Sequence, residues 1–433
     1  MPLSTGARVF IAAAGLLLAG ASLAAETPGS GFYHRGTVYL DWNGSRYADG
    51  LFFNQASVRV KFDLIDPPGQ GWTLALDARD RVGIREEATN QVILYSARLT
   101  FDKPGSRFVL SVGQMNLYDT AGIGALLGGM AGFKLSRDVL VGAFGGLEST
   151  PYIARLDAKY IKAGAFVRWL GSQGRTVGLT FNNVWYDGSV ERRFGYANVF
   201  FPVRKAFVLY GDAEVELGSH VGGADRLSRL FGNVRIDLGP WADVTASYSS
   251  GKGLDFHRYL LEASQDPTVF DQDIERFYYS SYYGARLSLK PAKTVRLSVA
   301  RQESTQRDLD IRNHTWRFGV SAWNVLARGF SVVGNYAFNR GDSSESDTYY
   351  VSLAKDFGRF SVNASFSNAF KGLRFDPGSG DPTPVVLPDH RNVTLGTLVR
   401  IGRGLSASVE YGGFLQSGAN EHFLFVRLIY RSR

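Results

Sequence analysis

The 433-residue sequence contains no cysteine. That excludes disulfide scaffolds, thiolate metal sites, c-type haem attachment and the lipidated cysteine of a lipoprotein. Nothing after Ala25 comes near the ~20 uninterrupted apolar residues of a membrane-spanning helix. The six histidines, His34, His220, His257, His314, His390 and His422, fall in separate segments without metal-ligand spacing, so no metal or other cofactor is expected. Neither His-Glu-x-x-His nor Gly-x-Ser-x-Gly occurs. Ser250-Gly251-Lys252-Gly253 lacks both the upstream glycine and the hydroxyl of a phosphate loop. The acidic trio Asp271, Asp273 and Glu275 misses the glycine and the full spacing of a calcium loop and reads as solvated charge. The chain is not expected to be an enzyme.

What is abundant is glycine, with 50 residues, and aromatics, with 30 Phe and 21 Tyr, under a net charge of +8. Mean hydropathy is only -0.10, as expected where an oily and a polar face average out. The N-terminus reads as a secretory signal: Arg8, an apolar run from Val9 to Leu18, then small residues through Ala25. Cleavage is expected after Ala24, giving a signal peptide at 1–24 and one domain at 25–433, since no internal repeat or linker is found. The signal holds one Arg and no acid, so the mature charge is +7.

The ordering of residues is strand-like. Ala56, Val58, Val60, Phe62 and Leu64 form one face, and Ser57, Arg59, Lys61 and Asp63 the other. The same alternation returns at Tyr349, Val351 and Leu353, at Phe360, Val362 and Ala364, and at Leu405, Ala407 and Val409. About 22 such segments can be counted, within a range of about 18 to 22; the fifth is read at 107–115 and the sixth at 128–135. One stretch, His257 to Ala263, carries a helix period. Links after even-numbered strands are short turns such as Lys103-Pro104-Gly105-Ser106 and Gly402-Arg403-Gly404, whereas the two longest, 252–275 and 372–389, follow odd-numbered strands. Sorting by parity predicts an all-β, transmembrane, antiparallel up-and-down β-barrel with both termini periplasmic. Two aromatic bands agree with it: Trp72, Phe101, Phe108, Trp169, Phe330, Phe357 and Phe360 at one end, Trp42, Trp185, Tyr248, Tyr279, Tyr283, Tyr336 and Phe338 at the other.

Leu424, Val426, Leu428 and Tyr430 form an alternating apolar face ending in an aromatic. This segment resembles the C-terminal strand of bacterial outer-membrane β-barrel proteins, although Arg431, Ser432 and Arg433 follow the aromatic. The whole mature chain resembles porin-like barrels in architecture. The resemblance implies a Gram-negative outer-membrane location, with lipid and lipopolysaccharide around the barrel. Only about a dozen residues separate the cleavage site from the first strand, which leaves no room for a plug domain.

If the oily face meets lipid, the alternate positions line the interior. The expected pore-lining residues are Arg59, Lys61, Arg79, Arg81, Arg98, Asp212, Glu214, Arg235, Arg286 and Arg317. The link 116–127 is small and apolar, with Asp119 as its one charge; it resembles in position the third loop of porins, which folds into the pore. Asn116, Asp119, Gly122 and Gly124 would then form a constriction. The function expected is a channel for small hydrophilic solutes, with an anion preference from the basic excess. The alternative is a sheath or conduit for a partner in the lumen, such as an exported polysaccharide or a multihaem cytochrome, because 22 strands without a plug leave a wide bore.

Overall fold

The computed structural model describes residues 33–432 apart from 48–49, 51, 66–69, 84–90, 118–122, 150–155, 204–205, 218–226, 253–278, 307–310, 326–327, 343, 374–384, 403 and 417–418. Residues 1–24, the stretch 257–263, the acidic trio, Asp119 and Gly122 lie outside the described residues.

Twenty-two strands are described. They begin with β1 (Tyr33–Arg46), β2 (Phe52–Ile65), β3 (Trp72–Gly83), β4 (Gln91–Phe101), β5 (Phe108–Asn116), β6 (Ala125–Lys134), β7 (Val139–Ser149) and β8 (Leu156–Leu170). Next come β9 (Thr176–Tyr186), β10 (Ser189–Val203), β11 (Phe207–Glu216), β12 (Leu227–Asp237), β13 (Ala242–Lys252), β14 (Tyr279–Ala292) and β15 (Val295–Gln306). The last are β16 (Ile311–Trp323), β17 (Phe330–Gly341), β18 (Ser344–Asp356), β19 (Phe360–Leu373), β20 (Val385–Arg400), β21 (Leu405–Gln416) and β22 (Ala419–Ser432). Each strand pairs antiparallel with its sequence neighbours, and β1 closes on β22 from Gly36↔Ser432 to Arg46↔His422. A closed ladder leaves no unpaired strand edge, the condition for crossing a bilayer with strands.

The ten links after even-numbered strands are six residues or fewer, at the end of the barrel where β1 begins and β22 ends. The other end carries links of two residues, as at Asp187-Gly188, up to twenty-six, at 253–278. Gly105, Gly239, Gly329 and Gly404 take positive φ in the short turns, which only glycine adopts without strain.

Register separates the two faces cleanly. Leu40, Leu74, Leu99, Leu110, Leu179, Phe181, Val351, Val362, Leu395 and Val409 belong to the exposed apolar set, and as cross-strand neighbours they form an outer belt. Trp72 contacts Phe101, and Phe357 stacks on Phe360, near the short-turn end; Tyr248 contacts Tyr283, and Tyr336 contacts Phe338, nearer the other. The opposite face buries polar groups, among them Asp41, Ser57, Ser111, Thr180, Asp212 and Glu216. That face is the interior.

Two strand starts depart from the sequence reading: β20 begins at Val385 rather than at 390, which shortens the link read at 372–389 to 374–384, and β6 begins early as well. The sixth strand starts at Ala125, not at 128, so the link is 117–124 rather than 116–127, and Asn116 ends β5. The cause is an interior that is locally apolar: Leu126 and Met130 are buried on the inner face, where the alternation was expected to be polar. Glycines complete the disguise. Gly128 faces Gly146 on β7 so closely that a Cβ on it would stand 2.6 Å from the Gly146 Cα and 2.1 Å from the Gly145 oxygen.

Candidate functional site: the barrel interior

The interior wall divides into three regions. The first, on β1 to β4, holds the expected basic ladder, but most of its charge is paired. Arg59 grips Asp77 through two bonds of 2.8 Å, and Lys61 reaches the same carboxylate at 3.4 Å. Arg79 donates to Ser57 Oγ and stands 3.5 Å from Asp41, which also receives Arg427 at 2.7 Å. Arg35 pairs with Asp63 at 2.7 Å. Charge-assisted forks of this kind fix side chains as well as neutralising them. A bulge opposite Asp77 and Ala78 inserts one extra residue in β4, and Arg59 lies 4.6 Å over the ring of Tyr95. Arg81 and Arg98 share this face with no ion-pair partner among the described residues.

The second region spans β5 to β12. Asp212, Glu214 and Glu216 form the expected acidic row, all half-buried or buried. Arg192, which sequence reasoning passed over, bonds Glu216 at 2.6 Å and pairs with Glu214 too. Ser228 Oγ donates to Glu214 at 2.8 Å from a bulge in β12, and Arg229 meets Asp212 at 2.8 Å. Arg235 pairs with Asp237 at 3.1 Å and lies 3.8 Å from Asp243, which Lys290 holds at 3.0 Å.

Next to that row the wall is filled by its own side chains. Val109, Met115, Leu126, Met130, Phe144 and Phe166 make one buried cluster with Leu117 and Ile123 from the β5–β6 link. Phe144 lies over Gly164, and Phe166 over Gly142; a Cβ on either glycine would sit 2.7 Å from the ring. The link is closed at its base by Leu117 N donating to Gly124 O at 2.9 Å. Lys162, almost fully buried, donates to Ile123 O at 2.8 Å and pairs with Glu148 at 3.2 Å. Its ammonium lies 5.4 Å from the Phe194 ring centre, a cation–π contact. Of the expected constriction residues, Gly124 is buried at this base and Asn116 is exposed.

The third region, β13 to β20, is mostly neutral and small beyond the Asp243–Lys290 pair and Arg296: Ser247, Ser298, Gln302, Thr315, Asn335 and Thr394 stand on the inner face. Arg286 and Arg317 stand there as well, both exposed. The residues expected to line the interior all fall on the inner face, but in three separate electrostatic settings rather than one ladder.

A closed 22-stranded barrel with an apolar outer belt and a polar, ion-paired interior is the porin-like architecture of the Gram-negative outer membrane. No protein-family model matches the chain, and no curated protein sequence does. Among solved structures it is similar to OccAB4 of Acinetobacter baumannii, at 11% identity and a TM-score of 0.42, covering 93% of this chain and 98% of that one. It is similar also to the outer membrane protein OpdK of Pseudomonas aeruginosa, at 11% identity and a TM-score of 0.43, covering 92% and 99%. OpdQ of Pseudomonas aeruginosa gives 9% identity and a TM-score of 0.45, covering 93% and 98%.

Proposed function

We propose that the chain is a passive outer-membrane channel for small hydrophilic solutes, with a modest preference for anions. The observation that carries this reading is an inner face where, outside the apolar cluster of β5 to β8, charges meet across strands and most other positions are hydroxyls, amides and glycines. Such a face is stable only when wet, because unpaired amides and cations cost several kcal/mol in a dry interior. In this reading residues 1–24 are a cleaved signal and 25–433 a single barrel. The chain ends and short turns face the periplasm, and lipid with lipopolysaccharide surrounds the outer belt. The β5–β6 link narrows the bore, a reading supported by the burial of its described ends, Leu117 and Ile123, in the interior cluster. Anion preference is supported by the mature charge and by Arg81, Arg98, Arg286 and Arg317, cations without an acidic partner among the described residues.

Reconstitution into planar bilayers tests the proposal. Stable openings of the purified protein, with a reversal potential on the anion side in a salt gradient, are expected. A silent barrel, or one that purifies with a stoichiometric lumen partner, would overturn the channel in favour of a sheath; cation preference would overturn the selectivity.

A further inference from the structure

Arg286 on β14 and Arg317 on β16 flank Ala300 on β15 in direct register, Arg286↔Ala300 and Ala300↔Arg317. Two strand spacings put their Cα atoms about 10 Å apart, with only a methyl group between. Both are exposed to the lumen, and neither has an ion-pair or hydrogen-bond partner among the described residues. The nearest acid on the inner face is Asp243, opposite Ser288, and it is already held by Lys290 at 3.0 Å with Arg235 at 3.8 Å. Every other inner position around the pair is neutral. Gln302 and Ser298 adjoin Ala300, Thr315 adjoins Arg317, and Thr245 lies opposite Arg286.

Six arginines elsewhere on the wall contrast with this pair, whereas Arg81 and Arg98 share its lack of an ion-pair partner among the described residues. Arg59, Arg79, Arg192, Arg229, Arg235 and Arg427 each meet a carboxylate. A like-charged pair without a counter-ion destabilises the empty wall and is relieved by a bound anion. Two guanidinium forks on the inner positions flanking Ala300 can be bridged by one oxyanion group. The surrounding hydroxyls and amides would be left unsatisfied against an apolar acid, but can exchange water for the hydroxyls of a sugar.

We propose that Arg286 and Arg317 form a binding subsite for a polyhydroxylated anion, a sugar phosphate or sugar acid, on the neutral wall of the barrel. This rests on the reading of the interior as a solute path and names the class of solute it favours.

The test uses the whole protein in lipid nanodiscs, titrated calorimetrically with glucose 6-phosphate, gluconate and glucose, beside current measurements in planar bilayers. The expected result is millimolar binding of the two anions and weaker binding of glucose. R286Q/R317Q should weaken anion binding about tenfold or more, the loss of at least one charge-assisted contact. R301Q, which removes a charge one residue away on the outer face, where Arg301 lies 5.5 Å from the Trp316 ring centre, should bind as the parent does. Heat-dependent gel mobility shows whether each variant has closed its barrel. The subsite is overturned if the parent binds neither anion, if glucose binds as tightly, or if the folded double variant binds unchanged. Conductance separates the two claims: a conducting parent that binds no anion sinks the subsite alone, and a silent parent that binds them sinks the channel while the subsite stands.

Discussion

Arg427 on the last strand holds Asp41 on the first through two hydrogen bonds, 2.7 and 3.1 Å long, and Arg79 approaches the same carboxylate at 3.5 Å. The seam of the barrel is therefore clasped from inside by one buried acid, 6% exposed at its side chain, shared between two cations. Fully buried pairs lose about 3–5 kcal/mol when one partner is removed; Arg427 is more than one-third open to water, so about 2–3 kcal/mol is expected for D41N. Urea unfolding in lipid vesicles should register a lower midpoint for D41N and a smaller drop for D63N at the exposed Arg35 pair. Equal midpoints for D41N and the parent would show that the seam does not depend on this clasp.

Gly164 and Gly142 are each covered by a ring from the neighbouring strand, and a Cβ on Gly164 would also stand 2.0 Å from the Phe181 oxygen. The backbone there cannot retreat without parting β8 from β9. G164A is expected to destabilise by about 1–3 kcal/mol, the usual cost of overpacking, and F144L should not rescue it, because the tighter contact is with backbone. Refolding yield and urea midpoint are the readouts; full rescue by F144L would place the strain in the ring instead.

Lys162 bonds the backbone of the β5–β6 link through Ile123 O. In K162M that carbonyl and Glu148 lose their buried cation. If the link narrows the bore, single-channel current should become noisier, and deletion of the link should raise conductance. A deletion barrel that closes normally and conducts as the parent does would remove the link from any constriction.

Glu214 and Glu216 balance Arg192 on the inner wall. E214Q/E216Q frees that cation, so the reversal potential should move toward anions. The move should be large at low salt and fade near 1 M, where the Debye length is only ~3 Å. A shift independent of salt would place these carboxylates away from the ion path.

Alternation was enough to read the strands, their number and the parity of the links, because a polar-in, apolar-out wall writes itself into every second residue, as in Ala56 to Leu64. It failed at β6 for a physical reason. Leu126 and Met130 point inward and Gly128, Gly129 and Gly132 carry no side chain, so neither face announces itself. Arg192 was likewise invisible: its role depends on a register shift between Val190 and itself and on Glu216, 24 residues away. The basic ladder was legible as residues but not as charge, since that Arg59 meets Asp77 and Arg286 meets no carboxylate among the described residues is decided by which strand lies beside which.

The stretch from β5 to β8 turns its bulk inward, Phe over glycine, with Leu117 and Ile123 added from the link. Circumference and aperture are thereby uncoupled. Four of the twenty-two strands add to the perimeter in contact with lipid while part of the area they enclose is taken up by solid packing. The water-filled section should be crescent-shaped and narrower than a hoop of this strand number implies, so polymer-exclusion measurements should return a smaller radius than the strand count predicts.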